Sequence, residues 1–334
     1  MMKIDVFNHI LTQKFNEQRL KLAPPELSSI LAARVKNIPA LWDLDTRFKI
    51  MDMFEDYVQV LTLANPPLEV LAGPEDALEL ARIGNDEMAE LVAKYPDRFV
   101  AAVASIPMNN VDGALKEMDR AINELGLKGV QIFSPMKGRA LDHPDFLPVF
   151  EKIAEYDLPI LLHPARNFRF ADYPAEDESQ VEIWHIFGWP YDTAAAMTRL
   201  VLWGIFDKYP NLKVITHHLG GLVPFTEGRI LEGYNKLAKS QKGKSLLDRL
   251  EKHPHEYFRM FYADTVTNGS LAALECGVDF FGADQVVFAT DHPFDSEGGS
   301  KYIRDTIRAL SGLTASDEDK KKIYQENAKR LFKL

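Results

Sequence analysis

Eight short runs of β-branched and other apolar residues recur along the chain, and segments with helical periodicity separate them. This alternation favours repeated β-α units around a parallel sheet, and eight units are the number that a closed (β/α)8 barrel requires. We therefore predict an α/β fold, a (β/α)8 TIM barrel. The predicted strands cover residues 3–9, 56–64, 98–106, 128–134, 158–163, 212–218, 258–264 and 285–291.

Two stretches between these strands are longer than a minimal β-α connection needs to be. They cover residues 10–44 after the first strand and residues 164–188 after the fifth. Because both follow strands, we expect both insertions on the face of the barrel where sites are built. Helices are predicted over residues 74–95 and 111–126, and in a closing segment that Ser316 caps.

The charge balance argues against two classes of partner. With 49 Asp and Glu residues against 39 Lys and Arg residues, the formal net charge is −10. This sign opposes binding to nucleic acid or to an anionic membrane, so we expect neither as a partner. The N-terminal sequence lacks the pattern of a secretory signal, and the single Cys276 excludes an intramolecular disulfide. We therefore expect a cytoplasmic protein.

Polar residues at the strand ends carry the strongest functional signal. His9 closes the first strand, His163 the fifth, His217 and His218 the sixth, and Asp291 the eighth. In a β/α barrel these ends converge on one mouth, so side chains that are distant in sequence meet there. Imidazoles with a carboxylate suit Zn²⁺, Mn²⁺ or Fe²⁺ better than Ca²⁺. The pattern predicts a mononuclear divalent metal site, although each His taken alone also fits a hydrogen-bonding loop residue.

The motifs DVFNH, LLHPAR, HHLGG, FATDHPF and NAKRLF follow one another along nearly the whole chain. In this combination the sequence resembles the amidohydrolase-related branch of the amidohydrolase superfamily, which includes aminocarboxymuconate semialdehyde decarboxylase and gamma-resorcylate decarboxylase. The resemblance implies a single metal-dependent hydrolase-like TIM-barrel domain over residues 1–334. It also implies an enzyme that uses one divalent ion, Zn or Mn, and that forms a homo-oligomer, a dimer.

Carried onto this sequence, the resemblance makes His163 and Asp291 metal ligands and gives Asp291 a second role in proton transfer. His218, the His of the H-x-G-G motif, would position or activate water or substrate. Members of this branch usually open their first strand with H-x-H, whereas this chain has Phe7 and His9. Residues two apart on a strand share a face, so an apolar ring stands where a ligand is expected. The expected ligands are His9, His163 and Asp291, and they should hold the ion more weakly than a full set.

An anionic substrate needs positive partners inside an acidic protein. Arg166, three residues after His163, is the first candidate for a bidentate carboxylate clamp, and Arg47 is a further candidate. The ring of Trp189 could wall an aromatic substrate or could belong to the core beneath the insertion. Arg166, Arg47 and Trp189 are therefore the predicted substrate-binding residues.

Three functions are compatible with these residues. The leading hypothesis is a metal-dependent, non-oxidative decarboxylase (carboxy-lyase) of a small aromatic or unsaturated carboxylic acid, with Asp291 and His218 as catalytic residues. The alternative is a metal-dependent hydrolase of a lactone, ester or amide, which would use the same ligands. A second alternative is a metal-free binding protein or an impaired enzyme, because Phe7 replaces a ligand. A carboxylate clamp beside an aromatic wall favours the decarboxylase over the hydrolase.

Overall fold

The strands of the protein are all parallel to their neighbours. A computed structural model describes residues 1–334. It contains two runs of hydrogen-bonded strands, in the orders β1-β2-β3 and β4-β5-β6-β7-β8-β9. The strands are β1 (Lys3–Ile10), β2 (Tyr57–Leu63), β3 (Phe99–Ala102), β4 (Ala104–Ser105), β5 (Val130–Ser134), β6 (Pro159–Pro164), β7 (Lys213–Thr216), β8 (Tyr262–Asp264) and β9 (Val286–Val287).

Backbone hydrogen bonds join these two runs into a closed barrel. Strands β3 and β4 together occupy one strand position of the barrel and link the two runs. The amide of Val103, between them, donates to the carbonyl of Leu61 in β2, and the amide of Ala104 donates to the carbonyl of Gly129, just before β5. At the other seam, the amide of Val6 donates to the carbonyl of Phe288 at 3.0 Å. The amide of Asp291 donates to the carbonyl of Phe7 at 2.9 Å, so the last strand pairs with the first. The predicted (β/α)8 barrel is confirmed.

Helices follow the strands and surround the barrel. The predicted helices over 74–95 and 111–126 and the closing helical segment are all present. The α-helices are α1 (Gln13–Leu22), α2 (Pro25–Asn37), α3 (Leu44–Met51), α4 (Leu68–Leu71), α5 (Pro74–Lys94), α6 (Val111–Asn123), α7 (Leu147–Tyr156), α8 (Ile183–Ile186), α9 (Gly188–Trp203), α10 (Ile205–Lys208), α11 (Glu227–Leu237), α12 (Gln241–Leu247), α13 (Pro254–Phe258), α14 (Leu271–Phe281), α15 (Ser300–Gly312), α16 (Asp317–Lys321) and α17 (Asn327–Phe332).

Local capping chemistry explains where several of these helices begin. The Asn110 side chain accepts a hydrogen bond from the amide of Gly113 at 3.0 Å, which satisfies one of the free amides at the start of α6. Ser316 accepts from the amide of Asp319 at 3.0 Å and caps α16, as the sequence predicts. Helix α5 begins with Pro74, whose fixed φ and missing amide hydrogen suit the first helical position.

Several strands are shorter in the structure than predicted, and the last two are shortened most. The strand expected over 258–264 begins only at Tyr262, because His253 and Pro254 start a short helix that extends to Phe258. The strand expected over 285–291 is regular only at Val286–Val287. The chain then turns so that Asp291 adopts a left-handed backbone conformation, with φ of 64°. The apolar runs in the sequence thus predicted the positions of both strands, but not the residues at which they begin and end.

The apolar residues of each strand divide between two layers. Leu162 and Val214 pack outward in the large cluster beneath the helices. Their neighbours Leu161 and Ile215 point inward and fill the barrel interior together with Phe7. Because side chains alternate along a strand, this filled interior leaves the carboxyl ends of the strands as the place for a site. None of the helices combines the length and apolar character needed to cross a lipid bilayer.

Candidate active site

A cavity of about 780 Å³ opens at the carboxyl ends of the strands. Both insertions contribute to its wall, as expected, since Arg34 of α2 and Glu182 and Trp184 of the second insertion line it. The barrel itself contributes His163, His218 and Asp291, and Trp189 of α9 also faces the cavity. The cavity therefore brings together residues from opposite ends of the chain.

His9 is fully buried at the end of β1, and its neighbours define its tautomer. Its Nδ1 lies 3.1 Å from the hydroxyl oxygen of Thr62, which itself donates to the carbonyl of Asn8. The Thr62 oxygen must therefore accept from the Nδ1–H of His9, which leaves the Nε2 lone pair free. This Nε2 lies 3.2 Å from Oδ1 of Asp291 and has no hydrogen-bond partner of good geometry.

His163 ends β6 in a similar arrangement. Its Nδ1 lies 2.6 Å from the carbonyl oxygen of Pro164, which can only accept, so Nδ1 carries the proton and Nε2 carries the lone pair. Burial and the neighbouring imidazoles of His217 and His9 hold the pKa of His163 well below its usual value. His163 is therefore a neutral imidazole, the form that binds metals.

His217 follows β7 and is held from behind by a buried carboxylate. Its Nδ1 pairs with Oδ2 of Asp264, which also accepts backbone amides at its other oxygen, including that of Leu219 at 2.9 Å. On the opposite side of the ring, Nε2 lies 3.6 Å from Oδ1 of Asp291. Burial lowers the pKa of His217, but Asp264 and Asp291 more than offset this and raise it to about 9. Carboxylates thus lie on both sides of the His217 ring, Asp264 at Nδ1 and Asp291 beyond Nε2.

Asp291 lies between these imidazoles and is ionised. Burial raises its pKa, but the close approach of the His217 and His9 imidazoles outweighs that effect and holds the pKa well below its usual value. The carboxylate is therefore an acceptor, in the form needed for a metal ligand. A role as proton donor requires that it first take up a proton.

His218 lies next to His217 but faces the cavity. Its ring centroid is 3.9 Å from that of His217 and 5.7 Å from that of Trp189. Burial, followed by the charge of His217, holds its pKa well below the usual value, and its Nδ1 has no hydrogen-bond partner. A neutral imidazole with a free ring nitrogen in a cavity wall can exchange a proton with a bound molecule.

The ring nitrogens of His9, His163 and His217 lie within 4.8 Å of one another. A second overlapping group, formed by His217, His218 and Asp291, meets the same limit. In the first group each Nδ1 is engaged by an oxygen, which leaves each Nε2 to face the others. This is the arrangement of metal-binding histidines, whose second nitrogen is fixed by an acceptor. The donor set therefore fits a divalent transition metal.

The sequence model of the family described as Amidohydrolase matches residues 6–334. The chain belongs to the amidohydrolase family. The resemblance inferred from the motifs is thereby confirmed.

Several known relatives of this amidohydrolase are carboxy-lyases. It is 32% identical over 305 residues to gamma-resorcylate decarboxylase of Rhizobium sp. (strain MTP-10005), with 87% of each chain covered. It is 32% identical over 253 residues to 2-amino-3-carboxymuconate-6-semialdehyde decarboxylase of Dictyostelium discoideum, which covers 76% of this chain and 67% of the relative.

A solved structure of similar fold contains a metal. The 5-carboxyvanillate decarboxylase of Novosphingobium aromaticivorans, complexed with manganese and 4-hydroxy-3-methoxy-5-nitrobenzoic acid, matches with a TM-score of 0.84 and 28% identity. The match covers 100% of this chain and 96% of that one. Manganese is a divalent transition metal, the class of ion that the clustered histidine nitrogens of this amidohydrolase fit.

The structure does not support a substrate-binding role for Arg47. This side chain is fully buried and does not line the cavity. Its guanidinium donates to Oε1 of Gln59 at 2.8 Å, to the carbonyl of His9 at 2.8 Å and to Oδ1 of Asn8 at 2.6 Å. Arg47 therefore braces β1 against β2 and α3, and all of its directed hydrogen bonds go to the protein.

Arg166 also lies outside the main cavity of this amidohydrolase. It lines an adjoining cavity of about 300 Å³, with its guanidinium 3.4 Å from Asp192 and 5.2 Å from the ring centroid of Phe170. Its carbonyl oxygen accepts from the indole nitrogen of Trp189 at 2.8 Å. Arg166 thus helps to hold Trp189 in the cavity wall. Of the two roles that the sequence left open for Trp189, its position is that of a wall residue.

The sequence did not point to Arg34, and it gave no role to His217. Arg34 of α2 lines both cavities, packs 5.5 Å from the ring centroid of Phe294 and forms no ion pair. It belongs to no motif, so only the path of the insertion could reveal it. His217 was recognised at a strand end, but the H-x-G-G motif directed attention to His218, and the pairing with Asp264 has no local sequence signal.

Proposed function

We propose that this chain is a metal-dependent, non-oxidative decarboxylase of a small aromatic or unsaturated carboxylic acid. The observation that carries the proposal is the buried cluster of inward-facing imidazole nitrogens beside ionised Asp291, at the floor of a cavity that Trp184 and Trp189 wall. The names of its relatives, which are decarboxylases of aromatic and muconate-like acids, support the same reaction class.

We propose His9, His163 and Asp291 as ligands of one divalent ion, Zn or Mn. When bound, such an ion supplies Lewis-acid stabilisation and a template for the substrate carboxylate and an adjacent oxygen. The tautomers of His9 and His163, each with a free Nε2, support this assignment.

The reaction itself needs one proton and no oxidant. The bond between the substrate carbon and its carboxylate breaks, the electron pair stays on that carbon, the carbon takes up one proton, and carbon dioxide leaves. We assign the proton exchange to His218, whose neutral ring lines the cavity and must first take up the proton that it delivers, with Asp291 as a nearby carboxylate that can accept and pass on a proton. The apolar rings of Trp184 and Trp189 exclude water from the carbon that must be protonated.

Arg34 is the cation that we assign to anion recognition. It faces the cavity and forms no ion pair, although the carboxylates of Asp291 and Glu182 act on it across the cavity, and burial lowers its pKa only from a value far above neutrality, so it stays charged. A charge-assisted hydrogen bond contributes about 1.5–3 kcal/mol, equivalent to a factor of roughly 10 to 150 in affinity. Arg34 can therefore offset the net negative charge of the protein locally.

Replacing Arg34 by Ala is expected to raise KM for an acidic substrate about 10- to 100-fold, with kcat changed much less, because binding of the anion is lost. Steady-state kinetics would measure this. Arg169, which is exposed and pairs with Glu26 at 2.7 Å, provides the matched control, and Arg169→Ala should leave KM within about twofold. If both substitutions changed KM equally, Arg34 would not be a substrate-binding residue.

The reaction class can be tested with protein whose metal content has been measured. We expect purified protein supplied with Mn²⁺ or Zn²⁺ to release carbon dioxide from at least one member of a panel of hydroxybenzoates and muconate-like acids. Turnover of lactones, esters or amides without carbon dioxide release would identify a hydrolase instead. Less than about a tenth of an equivalent of metal, with no activation by added ions, would identify a metal-free protein.

We further propose a cytoplasmic homodimer. Support for a protein partner comes from apolar side chains that the second insertion and the start of α9 leave exposed, among them Val181, Ile186, Phe187 and Tyr191. Exposed apolar groups of this kind are common where subunits associate.

A further inference from the structure

Phe7 occupies a position in the floor of the site from which a side chain could reach a metal. It is fully buried in the barrel interior, two residues before His9 on the same strand. Its ring centroid lies 5.9 Å from that of His9 and 5.8 Å from that of His163. A phenyl ring has no lone pair to donate, so β1 supplies one ligand where it has room for two.

The Phe7 ring stacks on His217. The two ring centroids are 4.1 Å apart and the planes are inclined by only 21°. His217 is itself fully buried, and its Nε2 has no hydrogen-bond partner. An unpaired polar nitrogen in a protein interior carries a free-energy penalty of about 1–3 kcal/mol unless something binds it. The stacking therefore fixes a ring whose Nε2 has no partner within hydrogen-bond range, since its nearest carboxylate oxygen, Oδ1 of Asp291, lies 3.6 Å away.

The other side of His217 is also fixed. Asp264, which is fully buried, pairs with Nδ1 of His217 and is itself held by the backbone amides of Leu219 at 2.9 Å and Val266 at 3.0 Å. A carboxylate behind a histidine in this way orients the ring and makes the opposite nitrogen a better metal donor. That opposite nitrogen lies in one group with the nitrogens of His9 and His163, and 3.6 Å from Asp291.

We propose that His217 is a direct ligand of the metal, beside His9, His163 and Asp291, and that it supplies the nitrogen that Phe7 cannot. His217, which follows β7, thus takes the place of the second ligand that β1 lacks. The Phe7 ring orients His217 by stacking on it. This inference rests on the proposed metal-dependent function, but it concerns coordination and not the reaction. The competing arrangement is an imidazolium of His217 that bridges Asp264 and Asp291 and stays there when the metal is bound.

Coordination can be counted without any substitution. In Mn²⁺-loaded wild-type protein, pulsed electron paramagnetic resonance should detect three directly bound histidine nitrogens, assigned by comparing protein with natural and ¹⁵N-labelled histidine. Two bound nitrogens would overturn the proposal. Because this measurement uses the unaltered chain, it does not depend on whether a variant folds.

A paired substitution tests the exchange of ligands between the strands. We expect His217→Ala to weaken Mn²⁺ binding by at least tenfold, measured by titration calorimetry on metal-free protein. Adding Phe7→His to His217→Ala should recover most of this loss, whereas adding Phe7→Leu should recover none. Phe7→His alone should tighten binding. Unchanged affinity in His217→Ala, or equal recovery by His and Leu at position 7, would overturn the proposal.

These outcomes are separate from those that test the reaction. Three bound histidine nitrogens without carbon dioxide release would leave the ligand assignment intact and remove the decarboxylase. Carbon dioxide release with only two bound histidine nitrogens would support the decarboxylase and overturn the assignment of His217 as a ligand.

Discussion

Asp291→Asn is expected to lower the rate of carbon dioxide release by at least about a thousandfold. The substitution removes the negative charge that His9 and His217 face at 3.2 Å and 3.6 Å, and it replaces a carboxylate ligand by a weaker amide. We also expect less metal per protein. Initial rates and metal content measured on the same preparations would test both effects.

The control for this substitution is Asp284→Asn, since Asp284 is an exposed carboxylate that pairs with Lys322 at 3.1 Å. This variant should retain wild-type rate and metal content, because exposed ion pairs contribute little. If Asp291→Asn kept more than a tenth of the wild-type rate with full metal content, Asp291 would be neither a ligand nor a catalytic residue.

His218→Gln is expected to lower kcat about 100- to 10,000-fold, because a glutamine cannot exchange a proton near neutral pH. KM and metal content should change little, since the His218 ring faces the cavity and its neighbour His217 faces the other nitrogens. This combination distinguishes the two adjacent histidines. Rates in deuterated solvent and deuterium incorporation into the product would report the proton transfer directly.

His143→Asn is a suitable control for this experiment. His143 caps a short helical turn through Nδ1, which accepts from the amide of Asp145 at 3.3 Å, and Asn can make the same cap. Unchanged kcat is therefore expected. A loss of metal in His218→Gln comparable with its loss of activity would show that His218 acts through the structure of the metal site and not through proton transfer.

The order of strands and helices followed from periodicity, and the capping of α16 by Ser316 followed from residue type. The element ends were less predictable. FRMFYAD has the composition of a strand, yet Phe258 completes α13, because the preceding His253 and Pro254 start a helix. Competition between a local helix start and a strand is decided by packing, which a single sequence does not display.

The residues of the candidate site were also only partly predictable from the sequence. His9, His163 and Asp291 could be placed together from sequence, because parallel strands of a barrel end at one mouth. The arginines could not be ranked, since their long side chains project from segments without periodicity. Arg47 points into the protein, Arg166 points into an adjoining cavity, and Arg34 reaches the main cavity.

By itself, the sequence determined the barrel, the two insertions, the acidic net charge and the convergence of His9, His163 and Asp291. These features depend on local periodicity and on the geometry shared by all parallel barrels. Only the tertiary structure showed that Phe7 stacks on His217 and that Asp264 fixes that ring. Those contacts join residues separated by hundreds of positions or by a whole β-α unit, and they depend on where closed strands bring side chains into van der Waals and hydrogen-bond range.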